Sequence, residues 1–364
     1  MRKLMMSVCS IAALLGIILT FASCKSKEEK IAEVIELLNQ EKYTEGLSLY
    51  QEIEDVQDTV LLNKLAYLYA DGKGVEQDSA QALQLWEKTA SLGNPEGMVE
   101  LGIAFEEGKG GKKVDKKKAF ELYEKAADTG YDRGIKNLAL CYMNGDGTKK
   151  DPEKAVELFK KAVEKGNVPS MYYLGCMNMF GEGILVNMEE AIKYLQMAAD
   201  KNDEDACFYL GYIYDKGKGV KRDIKKCFEY SLKGAELGHD GCQYVVANCY
   251  NNGDGTKQDY QKAIEWYLKA VNQGHVEAMN NLANMYRNGE GVEKNLEKAA
   301  ELYQKAAEKG DVEAQYNLAM CYYSGKGRYK NYTEAAKWLQ KAADQGDVLA
   351  KLFLDQMAQR GELN

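Results

Sequence analysis

The chain contains two histidines, the side chains that most often bind a metal ion or transfer a proton near neutral pH. Both follow a glycine, at His239 and His275, where other parts of the chain carry Asn94, Asn167, Asp203, Asp311 and Asp347. Asn and Asp at such a recurring position are typical of helix N-caps, so we expect both histidines to cap helices. A two-histidine metal or catalytic site is the alternative, although no further residues at ligand spacing support it.

Thiol chemistry is the second possibility, because the chain has nine cysteines. Seven of them follow residue 24: Cys141, Cys176, Cys207, Cys227, Cys242, Cys249 and Cys321. An odd number cannot pair completely within one chain. Several, such as Cys141 and Cys227, occupy positions where corresponding segments carry Ala, Leu, Ile or Met. We therefore expect small buried apolar side chains rather than nucleophiles or metal ligands.

Eight Gly-x-Gly pairs offer the third possibility, a phosphate-binding loop. Their first glycines are Gly72, Gly108, Gly145, Gly181, Gly217, Gly253, Gly289 and Gly325. The pairs follow helical patterns rather than strands and lack the Lys-Ser/Thr of a phosphate loop, so a nucleotide site is not predicted. No Ser-His-Asp, Cys-His or paired-carboxylate arrangement stands out either. We predict that the chain is not an enzyme and that it uses no cofactor and no metal.

The glycine pairs instead mark an internal repeat, because they recur every 36 or 37 residues. Seven residues before each pair stands an apolar residue, here called the repeat leucine: Leu65, Leu101, Leu138, Leu174, Leu210, Val246, Leu282 and Leu318. Ala or Gly always follows it, and an aromatic residue four positions later completes one helical stripe in most repeats. The glycine pair then ends this first helix.

A second helix follows in every repeat. It opens at a capping residue: Asp78, Asp115, Asp151, Asn187, Asp223, Asp259, Asn295 and Asn331. A column of small residues comes next, at Ala82, Ala119, Ala155, Ala191, Cys227, Ala263, Ala299 and Ala335, with large residues three or four positions later. Large residues against small ones at fixed spacing are typical of closely packed helices.

The segment from Leu282 to Val292, followed by Lys298 and Ala299, resembles the Sel-one-like repeat family, a branch of the tetratricopeptide-type helical repeats. The resemblance implies an all-α fold, a right-handed α/α solenoid of eight helical hairpins over residues 59–346. It also implies that the first helices line a concave inner face. Residues 29–58 are expected to form a degenerate N-terminal capping hairpin and residues 347–364 a C-terminal capping helix.

Cysteine-rich members of that family pair a cysteine on each first helix with one on the second. Cys207 matches the first of these positions, but Ala235 occupies the second. The resemblance therefore does not imply the disulfide ladder here, and it weakens the case for the penicillin-binding activity linked to those relatives.

The first 23 residues have the pattern of a lipoprotein signal peptide. Arg2 and Lys3 precede an apolar run, small residues follow Phe21, and Cys24 comes directly after them. Cys24 is thus the predicted lipidation site, with residues 24–28 as a lipidated linker. An uncleaved signal anchor and a plain secreted protein are the alternatives. We expect a bacterial envelope protein, in the outer membrane because Lys25 rather than Asp follows the cysteine.

The partner is expected to be a protein or peptide, with no role for nucleic acid. Removing residues 1–23, which contain two basic residues and no acid, changes the net charge from −8 to −10. Such a surface repels phosphate backbones, and no basic stripe offsets it.

The expected binding surface, here called the A-helix face, comprises the positions two before, two after and five after each repeat leucine. Aromatic, amide and other side chains suited to peptide recognition occupy it in repeats 4–8: Tyr172, Met179, Phe208, Tyr212, Tyr244, Asn248, Asn280, Asn284, Arg287, Tyr316 and Tyr323. The alternative is that these residues pack within the fold. At the level of function, a protein-binding scaffold or adaptor competes with a muropeptide- or glycan-binding hydrolase accessory protein and with a purely structural assembly subunit.

Replacing Cys24 by Ala should release the protein from membranes, because a thiol is needed to carry the lipid. Fractionation of cells into soluble and membrane pools measures this. A variant that stays in the membrane pool would count against a lipid anchor at this residue.

Overall fold

The computed structural model describes residues 25–363, in which nineteen α-helices and no strands occur. The described chain divides into two compact units, which meet in sequence between Asn167 and Val168. The N-terminal unit contains α1 (Lys27–Asn39), α2 (Tyr43–Gln51), α3 (Thr59–Asp71), α4 (Ser79–Ser91), α5 (Pro95–Glu107), α6 (Lys116–Asp128), α7 (Asp132–Asn144) and α8 (Pro152–Glu164).

The C-terminal unit contains the other eleven helices. They are α9 (Val168–Phe180), α10 (Met188–Asp200), α11 (Glu204–Lys216), α12 (Ile224–Leu237), α13 (Asp240–Asn252), α14 (Tyr260–Asn272), α15 (Val276–Asn288), α16 (Leu296–Glu308), α17 (Val312–Ser324), α18 (Tyr332–Asp344) and α19 (Val348–Gln359). Repeats 1–3 are α3–α8 and repeats 4–8 are α9–α18; the first helix of a repeat is its A helix and the second its B helix.

Within each unit, every A helix packs against its own B helix, and each B helix packs against the next A helix. This alternating stack of hairpins confirms the predicted α/α solenoid, while its handedness stays a prediction. The hairpin α1–α2 precedes repeat 1 and contributes Val34 and Leu38 to a core with Leu61, Leu62 and Leu65. At the other end, α19 packs on α18.

The hairpin begins two residues earlier than expected. Ser26 caps α1, since its hydroxyl accepts a hydrogen bond from the Glu29 amide while the Glu29 carboxylate accepts one from the Ser26 amide. This capping box starts the helix at Lys27. The predicted signal peptide and Cys24 lie outside the described residues. From residue 25 to residue 363, no helix has both the length and the apolar composition to cross a bilayer.

Each loop between an A helix and its B helix is closed in the same way. The predicted capping residue accepts hydrogen bonds from the first amides of the B helix, as Asp151 does from Lys154. Its own amide donates to the carbonyl of the residue four after the repeat leucine, as Asp151 does to Tyr142 at 2.7 Å. The same backbone bond recurs in all eight repeats, so one residue starts the B helix with its side chain and joins the loop to the A helix with its backbone amide.

The two glycines of each pair do different work. The first takes a left-handed conformation at the end of the A helix, as Gly145 does with φ +83°. The second lies against the first residue of the preceding B helix: a Cβ atom on Gly147 would lie 2.2 Å from the carbonyl oxygen of Lys116. A side chain there would push neighbouring repeats apart.

Replacing Gly147 by Asn should destabilise the protein by about 1–3 kcal/mol, because the added atoms collide with the Lys116 backbone. Gly166→Asn is the matched control. Gly166 also has a positive φ but no atom within 4 Å of a built Cβ, and Asn202 already occupies the corresponding position of repeat 4 with φ +64°.

The control should cost less than about 1 kcal/mol, since Asn enters the left-handed region readily. Thermal unfolding followed by circular dichroism measures both variants. Equal losses would mean that conformation, and not contact between repeats, explains the glycine.

Candidate functional site

The A-helix face in the C-terminal unit is less open than the sequence suggested. Met179 is only 7% exposed and Asn280 only 3%. Asn280 is covered because the Asn317 amide donates to its Oδ1 at 3.2 Å, and Met179 lies on α9, along which α11 packs. The expectation that these two residues lie on an open surface is therefore wrong.

Three further polar residues of the predicted set bond within the fold. Asn248 Oδ1 accepts from the Tyr267 hydroxyl and from Asn281 Nδ2, and Asn284 Oδ1 accepts from the Tyr303 hydroxyl. The Arg287 guanidinium is exposed and donates to Asn317 Oδ1 at 3.2 Å. These hydrogen bonds connect the helices of repeats 6–8.

The last two aromatic residues of the set lie near the C-terminal cap. Tyr323 packs edge-on against Phe353 of α19, with ring centroids 4.9 Å apart, and its hydroxyl accepts from Arg360 at 3.0 Å. Tyr316 is half-buried and belongs to the same apolar core. Tyr323 thus helps to hold the terminal helix.

An aromatic cluster connects repeats 4 and 5. It consists of Tyr172, Tyr173, Phe180, Phe208 and Tyr209, with neighbouring ring centroids 5.3–6.1 Å apart. Phe180 is exposed, and the other four rings are half-buried. Partly exposed aromatic rings in contact with one another are a common basis for recognising protein segments.

Beside this cluster lies a cavity of about 630 Å³, here called the repeat 5 cavity. Residues of repeats 5 and 6 and of the start of repeat 7 line it: Phe208, Gly211, Tyr212, Asp215, Lys216, Ile224, Cys227, Ser231, Gly241, Tyr244, Val245, Asn248, Cys249, Asp254, His275 and Glu277. The predicted residues Phe208, Tyr212, Tyr244 and Asn248 therefore come together around one cavity. Its volume is typical of ligand-binding pockets.

Both histidines cap helices, as predicted. His239 Nδ1 accepts from the Cys242 amide at 3.2 Å, and His275 Nδ1 accepts from the Ala278 amide at 3.3 Å. Each imidazole also stacks on an aromatic ring of the preceding repeat: His239 on Phe208 at 4.7 Å and His275 on Tyr244 at 4.6 Å. The histidines thus position two of the rings that line the cavity.

The charged residues of the cavity are mostly acidic. Asp215 lies 2.7 Å from Lys216 Nζ and 3.2 Å from Arg222 Nη2, and these cations lower the pKa of its carboxyl group. Asp254 accepts a hydrogen bond from Asn252, and Glu277 lies 3.3 Å from His275 Nδ1. The carboxylate of Asp215 is therefore held in its charged form at the cavity wall.

In contrast to the charged carboxylate of Asp215, the thiols of the cavity are neutral. Burial raises the pKa of Cys227, and it raises that of Cys249 to about 12, so both are protonated at neutral pH. Within residues 25–363 the seven cysteines are unpaired, and no group of three or more His, Cys, Asp or Glu side chains is arranged to hold a metal. Cys227 and Cys249 thus act as small apolar residues of the cavity wall.

Several wall residues were missed by the sequence analysis, among them Asp215, Gly211 and Ser231. A Cβ atom on Gly211 would lie 2.7 Å from Ser231 Oγ, so two small residues face each other across α11 and α12. The signal was present in the sequence: Ser231 interrupts a column that otherwise holds Trp86, Tyr123, Phe159, Leu195, Tyr267, Tyr303 and Leu339.

Comparison with known proteins gives a consistent result. The model of the Sel1 repeat family matches residues 61–94, 95–131, 134–167, 168–203, 204–239, 241–275, 276–311 and 312–347. Among solved structures, a Sel1 repeat protein from Oxalobacter formigenes is 25% identical, with a TM-score of 0.61 over 92% of this chain and 95% of that one. A protective antigen of uropathogenic Escherichia coli with an SLR fold is 29% identical, with a TM-score of 0.51 over 92% and 80% of the two chains. No curated protein matches the chain significantly.

Alkylation by iodoacetamide at about pH 8 should be far slower at Cys227 and Cys249 in the folded protein than in guanidinium chloride, where a thiol regains a pKa near 8.5. Mass spectrometry of the labelled peptides measures both rates. Fast labelling of the native protein would instead indicate ionised thiols, and with them a chemical role for the cavity.

Proposed function

Since this chain belongs to the Sel1 repeat family, we propose that it is a non-enzymatic scaffold or adaptor of the bacterial cell envelope that binds a protein or peptide on the concave side of its A helices. Sel1 repeats generally build protein-interaction scaffolds, and members of the family are typically not catalytic.

The observation that carries the proposal is the repeat 5 cavity beside the aromatic cluster. Phe208 contributes to both, since its ring lines the cavity and packs 5.7 Å from Tyr209. An extended segment lying across the A helices of repeats 4–6 would meet Tyr172, Phe208, Tyr212 and Tyr244 in turn. Large rings with few rotatable bonds bury much area at low entropic cost, which favours them as anchors for a peptide.

The envelope location rests on the first 24 residues. A cationic start, an apolar run and a cysteine after small residues support export and lipid attachment. Cys24 stands three residues before Lys27, where α1 begins. A lipid on Cys24 would therefore hold the repeats close to a membrane surface.

A second candidate is the binding of a cell-wall fragment. The cavity wall carries three carboxylates, from Asp215, Asp254 and Glu277, which could accept hydrogen bonds from sugar hydroxyls or amines. This function predicts that the protein sediments with purified sacculi. A protein scaffold predicts retention of an envelope protein after crosslinking instead.

Replacing Tyr172, Phe208, Tyr212 and Tyr244 together by Ala should reduce partner capture by more than about tenfold, because buried aromatic anchors dominate binding energy. Crosslinking and pull-down of the full-length protein from a membrane fraction measure the capture. Tyr329→Ala is the matched control, since Tyr329 is 96% exposed in a loop of the same unit, outside the A-helix face.

The control should capture as much as the original protein, and both variants should keep their helical circular dichroism. Undiminished capture by the four-residue variant would rule out this binding face. Sedimentation with sacculi that depends on the same four residues would favour the cell-wall function.

A further inference from the structure

The repeat 5 cavity has a specific origin in the sequence of the B helices. Four residues after the small residue of the B helix, the other seven repeats all carry Trp, Tyr, Phe or Leu, whereas repeat 5 carries Ser231. In six of those seven repeats the large side chain is fully buried, as Tyr267 and Tyr303 are. The large residue packs on the small residue that follows the repeat leucine: a Cβ atom on Gly102 would lie 2.5 Å from the Tyr123 ring.

Corresponding cavities elsewhere in the protein show what the missing ring does. The cavity of repeat 1 is lined by Ser79, Ala82 and Trp86 and measures about 310 Å³, and that of repeat 7 is lined by Leu296, Ala299 and Tyr303 and measures about 260 Å³. The equivalent positions in repeat 5 are Ile224, Cys227 and Ser231, and its cavity is about twice as large. It is also the one of the three whose lining includes the small residue after the repeat leucine, Gly211. The space that an aromatic ring fills in repeats 1 and 7 is thus open in repeat 5.

Repeat 2 shows which ring suits the open space. There Tyr123 lies on Gly102, and its hydroxyl donates to Glu106 Oε2 at 2.7 Å. Glu106 stands five residues after the repeat leucine, where repeat 5 carries Asp215 in the cavity wall. Repeat 5 therefore keeps the glycine and a carboxylate and lacks only the phenol between them. A carboxylate can accept several hydrogen bonds, so Asp215 can take one more beside those from Lys216 and Arg222.

We infer that the repeat 5 cavity is a binding site for a phenol ring, the side chain of a tyrosine supplied by the partner, with its hydroxyl donating to Asp215. The ring takes the place that Tyr123 occupies in repeat 2. Phe208, Tyr212 and Tyr244 line the same cavity, and exposed Lys216 and Glu277 stand at its wall, so an incoming backbone reaches it from the A-helix face. This inference rests on the proposed function for the identity of the donor chain, but the phenol site can be tested alone.

Binding of p-cresol, the side-chain analogue of tyrosine, to the full-length protein tests the site. Calorimetry should show one site, with p-cresol binding about tenfold more tightly than toluene because only p-cresol can donate to a carboxylate. Ser231→Tyr should abolish binding by filling the cavity with the chain's own ring, without lowering the unfolding temperature. Ser231→Leu, which copies Leu195 of repeat 4, gives a second filled variant, and Ser231→Ala is the open control.

Replacement of Asp215 by Asn should remove most of the preference for p-cresol over toluene. N-acetyl-tyrosinamide should compete with p-cresol, since the site must admit a ring attached to a backbone. Absence of p-cresol binding, or equal binding by Ser231→Tyr and Ser231→Ala, would overturn the inference, whatever the protein captures from membranes. Binding of p-cresol without competition by N-acetyl-tyrosinamide would overturn the link to a peptide partner.

If p-cresol binds as expected but no envelope protein is captured, the phenol site stands and the proposed function fails. If capture depends on Tyr172 and Phe208 but is unchanged in Ser231→Tyr, the proposed function stands and the tyrosine anchor fails. The two ideas are thus separable with the same set of variants.

Discussion

The structure depends on the contact between small residues where one repeat meets the next. A Cβ atom on Gly134 of repeat 3 would lie 2.7 Å from the Cβ atom of Ala126 in repeat 2. In repeat 6 the A helix carries the larger Cys242 at this position, and the facing residue of repeat 5 shrinks to Gly234. The combined size of the facing residues at this contact is therefore limited. Where a large residue elsewhere in a repeat is replaced by a small one, the neighbouring helices fill only part of the space, and in repeat 5 a cavity remains.

The candidate site lies where the repeat pattern loses a large side chain. Ser231 and Gly211 face each other across α11 and α12, and both line the open space of repeat 5. The rings around that space are held by other parts of the repeat pattern: the capping imidazoles of His239 and His275 stack on Phe208 and Tyr244. Residues that serve to start helices therefore also orient the walls of the cavity. A preformed site of this kind loses little entropy when a ligand enters.

Much of the fold could be predicted from the sequence, because the same capping residues and helix-ending glycines recur in each repeat. The capping column at Asp151 and its equivalents, the helix-ending glycines and the capping histidines all depend on short-range backbone geometry.

The site was predicted less completely. Phe208, Tyr212, Tyr244 and Asn248 do share one cavity, but Asn280 is covered by Asn317 from the next repeat, and Met179 is buried. Burial at those positions depends on side chains one repeat away, which spacing within a repeat does not reveal. Ser231 was visible as an exception in its column, yet only the packed helices show that the exception leaves a cavity.

The recurring hydrogen bond from each capping residue back to the A helix has a consequence for how such a chain can change. Asp151 and its equivalents join the loop to the A helix through backbone atoms, whereas the residue at the Ser231 position contributes only a side chain to the space between the two helices. The position that closes the hairpin and the position that sets the size of the cavity are therefore different residues of the same 36-residue repeat. A substitution at this position changes the size of the cavity without removing any of the backbone hydrogen bonds that close the hairpin, and because residues of three successive repeats line the cavity, its shape also depends on which repeats follow.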